Sequence, residues 1–236
     1  MHVGEHLIVV ALGVDSAGSK HPLGLWEGTT ENKATCNALL SNLAERGLDT
    51  DRAMLFVIDG GKAIRSAVIH HFGELAMIQR CTKHKERNVT DHLPVTERTF
   101  VARKLRKAWS NPDADVAERE LRAVSRSLAD RHPGAAASIL EGLEETLTVT
   151  RLGISGSLAR SLKTTNPIES MISIARTTSR NVKRWRSGKM ALRWTAAGML
   201  EAEKQFRKMN GFRDLHVLKQ ALRHHEEVVK GGKQVA

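Results

Sequence analysis

Leu55-Phe56-Val57-Ile58-Asp59-Gly60-Gly61 joins a short apolar run to an acidic residue and two glycines. The run predicts a buried strand over 53–58, and a helix over about 62–71 is expected to follow it. A carboxylate at the carboxyl end of a strand projects toward the crevice where α/β sheets bind ligands. Asp-Gly is also a common turn pair, so Asp59 has a structural interpretation beside the functional one.

The residues on either side of this stretch alternate between strand and helix patterns. An apolar run over His6–Val14, turn residues over 15–18 and a return over His21–Trp26 predict a hairpin. A helix is expected to begin at Thr30 or Glu31 and to end at Gly47. With a further strand over 75–81, this order predicts an α/β fold whose sheet has mixed strand directions.

After His84 the pattern is helical. Asn111-Pro112-Asp113 and His132-Pro133-Gly134 mark breaks, and Gly153–Gly156 is expected to form a loop. The predicted helices are Thr96–Trp109, Ala114–Ala129, Pro133–Thr146, Pro167–Trp185, Lys189–Arg207 and Leu215–Val229. The tail that begins at Lys230 is expected to fray.

Glu169 follows Thr164-Thr165-Asn166-Pro167-Ile168 and has two interpretations. In the first, Asn166 is the N-cap of a helix, Pro167 its first residue and Glu169 the third position of a capping box. In the second, Glu169 begins a polar face that runs beside an apolar face of the same helix. If a metal ion bound at Glu169, the phosphate backbone of a substrate could continue along the cations of that polar face. The face comprises Glu169, Ser173, Arg176, Arg180, and Lys183 or Arg184.

Positive charge is concentrated in this part of the chain. The whole sequence has 37 Lys+Arg and 26 Asp+Glu, which gives a net charge of +11. Between Arg160 and Arg193, nine basic residues accompany one acidic residue. Counterion release gives such a surface affinity for nucleic acid, and a solvated helical face is the alternative. Trp185 lies among these cations and is a candidate for stacking on bases, whereas Trp194 is expected to pack in the core.

Composition excludes several classes of protein. No run reaches the roughly 20 apolar residues that a membrane span requires, and residues 1–6 do not have the pattern of a secretory signal. Two cysteines are too few for a disulfide framework. These features predict a cytoplasmic protein with reduced thiols and no membrane partner.

Several motifs occur in order along the chain: His6–Asp15, Leu23–Asn32, Ile58–Lys62, Gln79–Val89, Thr164–Ser170 and Arg193–Arg207. Together they closely resemble bacterial insertion-sequence transposases of the Mutator-like family, and the resemblance runs from about Gly4 to Arg223. It implies a ribonuclease-H-like fold in which an Asp, Asp, Glu triad holds two Mg²⁺ ions. Such a site activates water, and then a DNA 3′-hydroxyl, for in-line attack on phosphodiesters.

The resemblance makes Asp59 the second member of the triad and Glu169 the third, both as metal ligands. It implies a ribonuclease-H-like α/β part over 1–92, a helical insertion over 93–157, a catalytic-Glu helix with C-terminal helices over 158–229, and a disordered tail over 230–236. DNA is the implied partner, as terminal inverted repeats and as target, and homo-oligomers are expected of the family.

Cys81 and His84 form a Cys-x-x-His pair that matches a family motif after the second acid. As a zinc site the pair supplies half of a tetrahedron, and a structural role is the alternative. Three histidines are candidates to complete such a site: His70, His71 and His92. The resemblance places the motif near the catalytic pocket, where His84 would contact DNA or support Asp59. The phosphate contacts expected around it are Lys83, Lys85 and Arg87.

The first aspartate of the triad is where the sequence departs from the family. In relatives it lies in an Asp-Gly pair just ahead of the segment that matches residues 1–6. The chain is therefore expected to be truncated at its N-terminus, to lack the first strand of the sheet and to have little strand-transfer activity. Asp15 is not a substitute, because it falls in the hairpin turn. The alternatives are a non-enzymatic DNA-binding fragment that inhibits or partners an intact transposase and, less favoured, a nuclease with the same sheet.

Overall fold

The computed structural model describes residues 1–3, 6–28, 32–182 and 184–232. The secondary structure is mixed α/β and mostly helical. The chain forms two compact units. The first unit contains Met1–Met54, Gly61–Ala76 and Thr165–Ala236, and the second contains Leu55–Gly60 and Met77–Thr164. Within the described ranges, no helix has the length and apolar character needed to cross a membrane.

The described residues form the following strands and helices, given in chain order. The strands are β1 (His2–Val3), β2 (His6–Val14), β3 (Lys20–Gly28), β4 (Met54–Ile58) and β5 (Ala76–Arg80). The helices are α1 (Lys33–Glu45), α2 (Lys62–Phe72), α3 (Thr82–Asp91), α4 (Val95–Trp109), α5 (Ala114–Leu128), α6 (Pro133–Leu140), α7 (Thr148–Arg151), α8 (Gly156–Leu162), α9 (Asn166–Thr178), α10 (Gly188–Lys204) and α11 (Leu215–Gly232).

The predicted hairpin is confirmed in the first unit. Strands β2 and β3 pair antiparallel, with Leu7 opposite Gly28, and β1 pairs with the other edge of β2. The connecting turn forms because Gly18 adopts a φ of 80° and an oxygen of Asp15 accepts hydrogen bonds from the amides of Ala17 and Ser19. Asp15 therefore serves the turn, as the sequence predicts.

Helices α9 and α10 cover one face of this sheet. Met171 of α9 and Met199 of α10 are fully buried and pack with partly buried residues of β2 and β3, including Val10 and Leu25. The two helices approach closely at Gly198, where a methyl group would lie 2.5 Å from the Cα atom of Ala175. The core of the first unit therefore depends on residues that are far apart in the sequence.

The second unit contains the two-stranded sheet β4–β5 and the helices α3 to α8. The paired strands of the described residues thus form two separate sheets, whereas the sequence predicts one mixed sheet. The core lies between helices α3 to α6, and its members include Val89, Leu105, Leu121 and Leu147.

Several predicted helix ends are wrong. The helix expected over Pro133–Thr146 ends at Leu140, since Gly142 turns the chain at a φ of 62° before a 3₁₀ turn over Glu144–Thr146. Helices α3, α7 and α8 are absent from the prediction, although α8 begins at the end of the expected loop over Gly153–Gly156. The expected start of α1 at Thr30 or Glu31 lies outside the described residues, as do the last four residues of the tail. Three residues assigned to that tail, Lys230–Gly232, belong to α11.

Charged side chains are buried beneath β5 and α3 in the second unit. The Arg80 side chain is 6% exposed and donates hydrogen bonds to Glu141 and Glu145, each at 2.7 Å. Nζ of Lys85 donates to the carbonyl oxygens of Ser138 and Glu141 and, at 2.8 Å, to the Glu141 carboxylate. These bonds join the strand end and α3 to the segment that follows α6.

Acid should destabilise the protein through Glu141. Its burial raises the pKa, but hydrogen bonds from Arg80 and Lys85 outweigh burial and lower the pKa from 4.5 to about 2. A carboxyl group whose folded pKa is depressed stabilises the fold fully above its unfolded pKa, and that contribution is lost as pH falls from 4.5 toward 2. The urea concentration at the midpoint of unfolding should fall between pH 6 and pH 3. We expect this fall to be smaller in Glu141→Gln. Glu144→Gln, at an exposed neighbour, is the control, and equal effects of the two variants would contradict the assignment.

Candidate metal-binding and DNA-contact residues

Asp59 lies at the carboxyl end of β4 and its side chain is exposed. Gly60 follows at a φ of 105°, a conformation that other residues rarely adopt. A methyl group at Gly60 would lie 3.5 Å from Nη1 of Arg80, so the Arg80 side chain packs against this turn. The turn therefore holds Asp59 at an exposed position. Gly60 allows its backbone conformation, and the buried Arg80 side chain packs against it.

Glu169 lies in the first turn of α9 and is exposed. The helix begins one residue earlier than predicted, with Thr165 as its N-cap, so the capping box that assigns Asn166 to this position is wrong. Thr165 instead donates a hydrogen bond from its hydroxyl to Oε1 of Glu169 at 2.7 Å. A negative charge in the first turn is favoured by the helix dipole, and the Thr165 bond orients this carboxylate.

Cys81 and His84 lie at the start of α3. The amide of Cys81 donates to the carbonyl oxygen of Ile58 at 2.7 Å, which places Cys81 next to the end of the Asp59 strand. The Cys81 Sγ atom and a ring nitrogen of His84 lie within 4.8 Å of each other. A tetrahedral zinc ion needs its ligand atoms about 3.5 Å apart, so a small rotation would allow both to bind one soft metal. A thiol and an imidazole do not suit Mg²⁺, which prefers oxygen ligands.

Residues 2–209, which include Asp59, Cys81, His84 and Glu169, match the family described as "Transposase, Mutator family". The chain belongs to this transposase family. It is 28% identical over 169 residues to the transposase for insertion sequence element IST2 of Acidithiobacillus ferrooxidans, covering 72% of this chain and 56% of that protein. A probable insertion-sequence transposase of Corynebacterium diphtheriae is 30% identical over 172 residues, 73% of this chain and 49% of that protein.

A third transposase, for element ISRM5 of Rhizobium meliloti, is 26% identical over 218 residues, which cover 92% of this chain and 54% of that protein. The chain thus spans about half the length of the curated relatives it matches. Asp59 belongs to the second unit and Glu169 to the first. Their approach to one cation therefore stays a prediction for this Mutator-family chain.

One of the predicted phosphate contacts in the Cys81–His84 motif is wrong. Lys85 is 3% exposed, and its ammonium group is held by the Glu141 and Ser138 oxygens within the second unit. Burial lowers the pKa of Lys85, against the opposing effect of Glu141. Lys83 and Arg87 lie on the exposed side of α3 and remain available to phosphate.

The predicted cationic face on one long helix is also wrong, because α9 ends at Thr178. The hydroxyls of Thr177, Thr178 and Ser179 donate to carbonyl oxygens four residues earlier, at 3.1, 3.0 and 3.0 Å. Such local bonds compete with helix propagation. Arg176 is exposed in the last turn of α9, whereas Arg180 and Arg184 are exposed beyond its end. Lys183 lies outside the described residues.

The tryptophans differ from the predictions in their environment. Trp194 is 38% exposed, since α10 packs through the neighbouring stripe that contains Ala191, Thr195 and Met199. The expectation that it lies in the core is therefore wrong. Trp185 is half-buried against the cluster of Ile8 and Ala191. Part of its ring is committed to packing, which limits how much of it a base could stack on.

Sequence reasoning missed the buried side chains that connect these segments. Lys163 donates from Nζ to the Trp109 carbonyl oxygen at 2.8 Å, and burial lowers its pKa. The carbonyl oxygen of Lys163 accepts from the amide and the hydroxyl of Thr82, at 2.9 and 3.1 Å. A basic residue at the end of the apolar strand β5, Arg80, was the available signal that an acidic partner had to exist elsewhere.

Proposed function

We propose that this chain contributes to the catalytic centre of a DNA transposase, in which Asp59 and Glu169 are metal-binding carboxylates. The match to the Mutator family over residues 2–209 carries this proposal, because it spans both acids and the motif between them. The names of the relatives describe insertion-sequence transposases. We extend their activity, DNA substrates and assembly as homo-oligomers to this protein as parts of the same proposal.

Hydrogen bonds within the second unit link the segments of the chain that precede the two acids. Ile58, directly ahead of Asp59, bonds to Cys81, and the next residue, Thr82, bonds to Lys163. Glu169 follows Lys163 by six positions, a length of chain that reaches at most about 20 Å. The segment before Asp59 and the segment before Glu169 are thus both tied to the start of α3.

The exposed carboxylates suit Mg²⁺, the metal that the family resemblance implies in two copies. Bound there, it would supply charge to stabilise the attacking and leaving oxygens of phosphodiester exchange. In this proposal Asp59 and Glu169 hold and orient the cations, and Thr165 fixes the carboxylate of Glu169. Exposed cations such as Lys83, Arg87, Arg176 and Arg184 bind the phosphate backbone.

A ribonuclease-H-like core is the fold that the family resemblance implies, and we propose it for this chain. The element order, a hairpin β2–β3 followed by β4-α2-β5, supports such a core, whereas the pairing of the described strands as two sheets does not. The predicted segments 1–92, 93–157 and 158–229 would be its α/β part, its insertion and its closing helices. A cytoplasmic location is proposed with the function, since its DNA substrate lies there in bacteria.

The 236 residues supply two of the three carboxylates that the family resemblance implies, whatever precedes them in a longer protein. We therefore expect the polypeptide of this sequence alone to show little Mg²⁺-dependent cleavage or joining of terminal-repeat DNA, measured on labelled duplexes. Efficient cleavage that Asp59→Asn abolishes would contradict the incomplete triad but support the metal site. Binding to DNA with no Mg²⁺-dependent cutting by any longer form would favour the inhibitor or partner function instead.

Binding to DNA should depend steeply on salt. Each phosphate contact that is neutralised by Lys or Arg contributes about −0.9 to the slope of log affinity against log salt. We expect Arg176→Gln/Arg184→Gln to weaken duplex binding and to flatten this slope by about 2, measured by fluorescence anisotropy without divalent metal. Lys219→Gln/Arg223→Gln on α11 removes the same charge from exposed positions. Equal losses in both double variants would show that net charge alone is responsible.

A further inference from the structure

Helix α4 presents a stripe of one aromatic residue and three cations to solvent. Phe100, Arg103, Lys104 and Lys107 occupy positions i, i+3, i+4 and i+7, so they share one side of the helix. All four are exposed, and the opposite side of the helix packs in the core of the second unit through Val101, Leu105 and Ala108. We call these four residues the α4 stripe.

The aromatic ring is held among the cations but is not covered by them. Nζ of Lys104 lies 4.5 Å from the centroid of the Phe100 ring, and Cζ of Arg103 lies 5.7 Å from it. Phe100 is nevertheless 50% exposed. An exposed apolar ring next to positive charges is suited to a partner that offers both phosphates and apolar sugar edges.

The stripe is presented on a fixed support. Arg106 donates two hydrogen bonds to the Glu86 carboxylate, both at 2.6 Å, and thereby fastens α4 to α3. Nε of Arg98 donates to the Leu93 carbonyl oxygen at 2.9 Å and closes the connection between the two helices. Glu86 is thus paired with Arg106, and Glu97, three positions before Phe100 on α4, is paired with Arg131 at 3.2 Å.

Charge on the α3–α4 pair favours a polyanion. Residues 82–109 contain eight Lys and Arg and three Asp and Glu, a net charge of +5. Two of these cations, Lys83 and Arg87, are exposed on α3. The next helix, α5, carries three basic and three acidic residues, and its Arg122 pairs with Glu118 four positions earlier. That balanced pattern is typical of a solvated surface.

We propose that the α4 stripe is a second contact surface for duplex DNA, with its cations on the phosphate backbone and Phe100 against the sugars. The inference rests on the proposed function, because it takes DNA as the substrate. The stripe shares no residue with the proposed metal site, since its four residues lie on α4. DNA is favoured over an acidic protein because its phosphates form a continuous line of charge, which the cations along one side of α4 can follow.

The test compares two charge-matched double variants of the 236-residue protein by fluorescence anisotropy on a labelled duplex, without divalent metal. Arg103→Gln/Lys107→Gln should weaken binding roughly tenfold to hundredfold at 0.1 M salt and flatten the salt slope by about 2. Arg119→Gln/Arg126→Gln on α5 removes the same charge from the same unit and should leave the slope unchanged. Thermal melting of each variant checks folding.

Phe100→Ala supplies an independent readout. Loss of an apolar contact should weaken binding several-fold and leave the salt slope unchanged, and Phe100→Leu should restore part of the affinity. Equal losses in the α4 and α5 variants, or none in either, would overturn the proposal. An α4 effect on self-association alone, measured by ultracentrifugation without DNA, would assign the stripe to a protein partner. These binding assays contain no divalent metal, so failure of the metal chemistry proposed at Asp59 and Glu169 would leave their outcome unchanged.

Discussion

Iron(II) supplied in place of Mg²⁺, with ascorbate and peroxide, should cleave the chain both near residue 59 and near residue 169. Iron(II) accepts the same carboxylate ligands, and the radicals it generates cut only the nearest backbone. If Asp59 and Glu169 share a site, Asp59→Asn should remove the cuts near residue 169 as well as those near residue 59. Glu169→Gln should have the reciprocal effect. Mass spectrometry of the fragments measures both.

The controls for this experiment use other side chains. Asp115→Asn changes an exposed acid in the first turn of α5 and should leave all the cuts in place. His84→Ala tests the soft Cys81–His84 pair, and the cuts near residue 169 should survive it. Cuts near residue 169 that persist in Asp59→Asn would show two independent cation sites, and the proposed catalytic centre would then be wrong.

Arg80→Met should destabilise the protein by about 3 kcal/mol. Removing one partner of a buried ion pair leaves the other charge uncompensated, which typically costs about 3–5 kcal/mol. We expect a cost at the lower end of this range because Glu141 keeps its bond to Lys85 and is half exposed. Glu145 is only 17% exposed and loses its bond to Arg80. Urea unfolding monitored by tryptophan fluorescence gives the free energy of unfolding.

Arg122→Met is the matched control for this prediction. Arg122 also forms a short ion pair, with Glu118 at 2.6 Å, but its side chain is 44% exposed. Such exposed pairs contribute at most about 1 kcal/mol. If the two substitutions cost the same, the Arg80 network does not stabilise the second unit as argued. Arg80→Lys should give an intermediate loss, since an ammonium group keeps the charge but not the two-pronged geometry.

Local patterns in the sequence predicted much of the secondary structure. The hairpin of β2 and β3, strand β4 and helices α2, α4 and α5 lie within one or two residues of their expected bounds. Each has a signal confined to its own residues: a β-branched run, a turn glycine or a helical apolar repeat. The end of α9 was missed because hydroxyl groups of Thr177 to Ser179 break the helix where apolar periodicity continues.

The candidate site was predictable only in part. The family motifs single out Asp59, Cys81, His84 and Glu169, and the structure places the two acids at exposed element ends. The burial of Lys85 was not predictable, because it depends on Glu141, which lies 56 positions away along the chain. The sheet arrangement likewise depends on long-range pairing, so one mixed sheet was expected where two are found.

The order in which the two units alternate along the chain has a consequence for biosynthesis. The face of the β2–β3 hairpin that includes Val10 and Leu25 is covered by α9 and α10, which leave the ribosome only after residues 77–164 have been translated. At about 5–20 residues per second, that interval lasts several seconds or more. Throughout it the apolar face of the nascent hairpin lacks its covering helices, which makes this part of the chain prone to association before synthesis is complete.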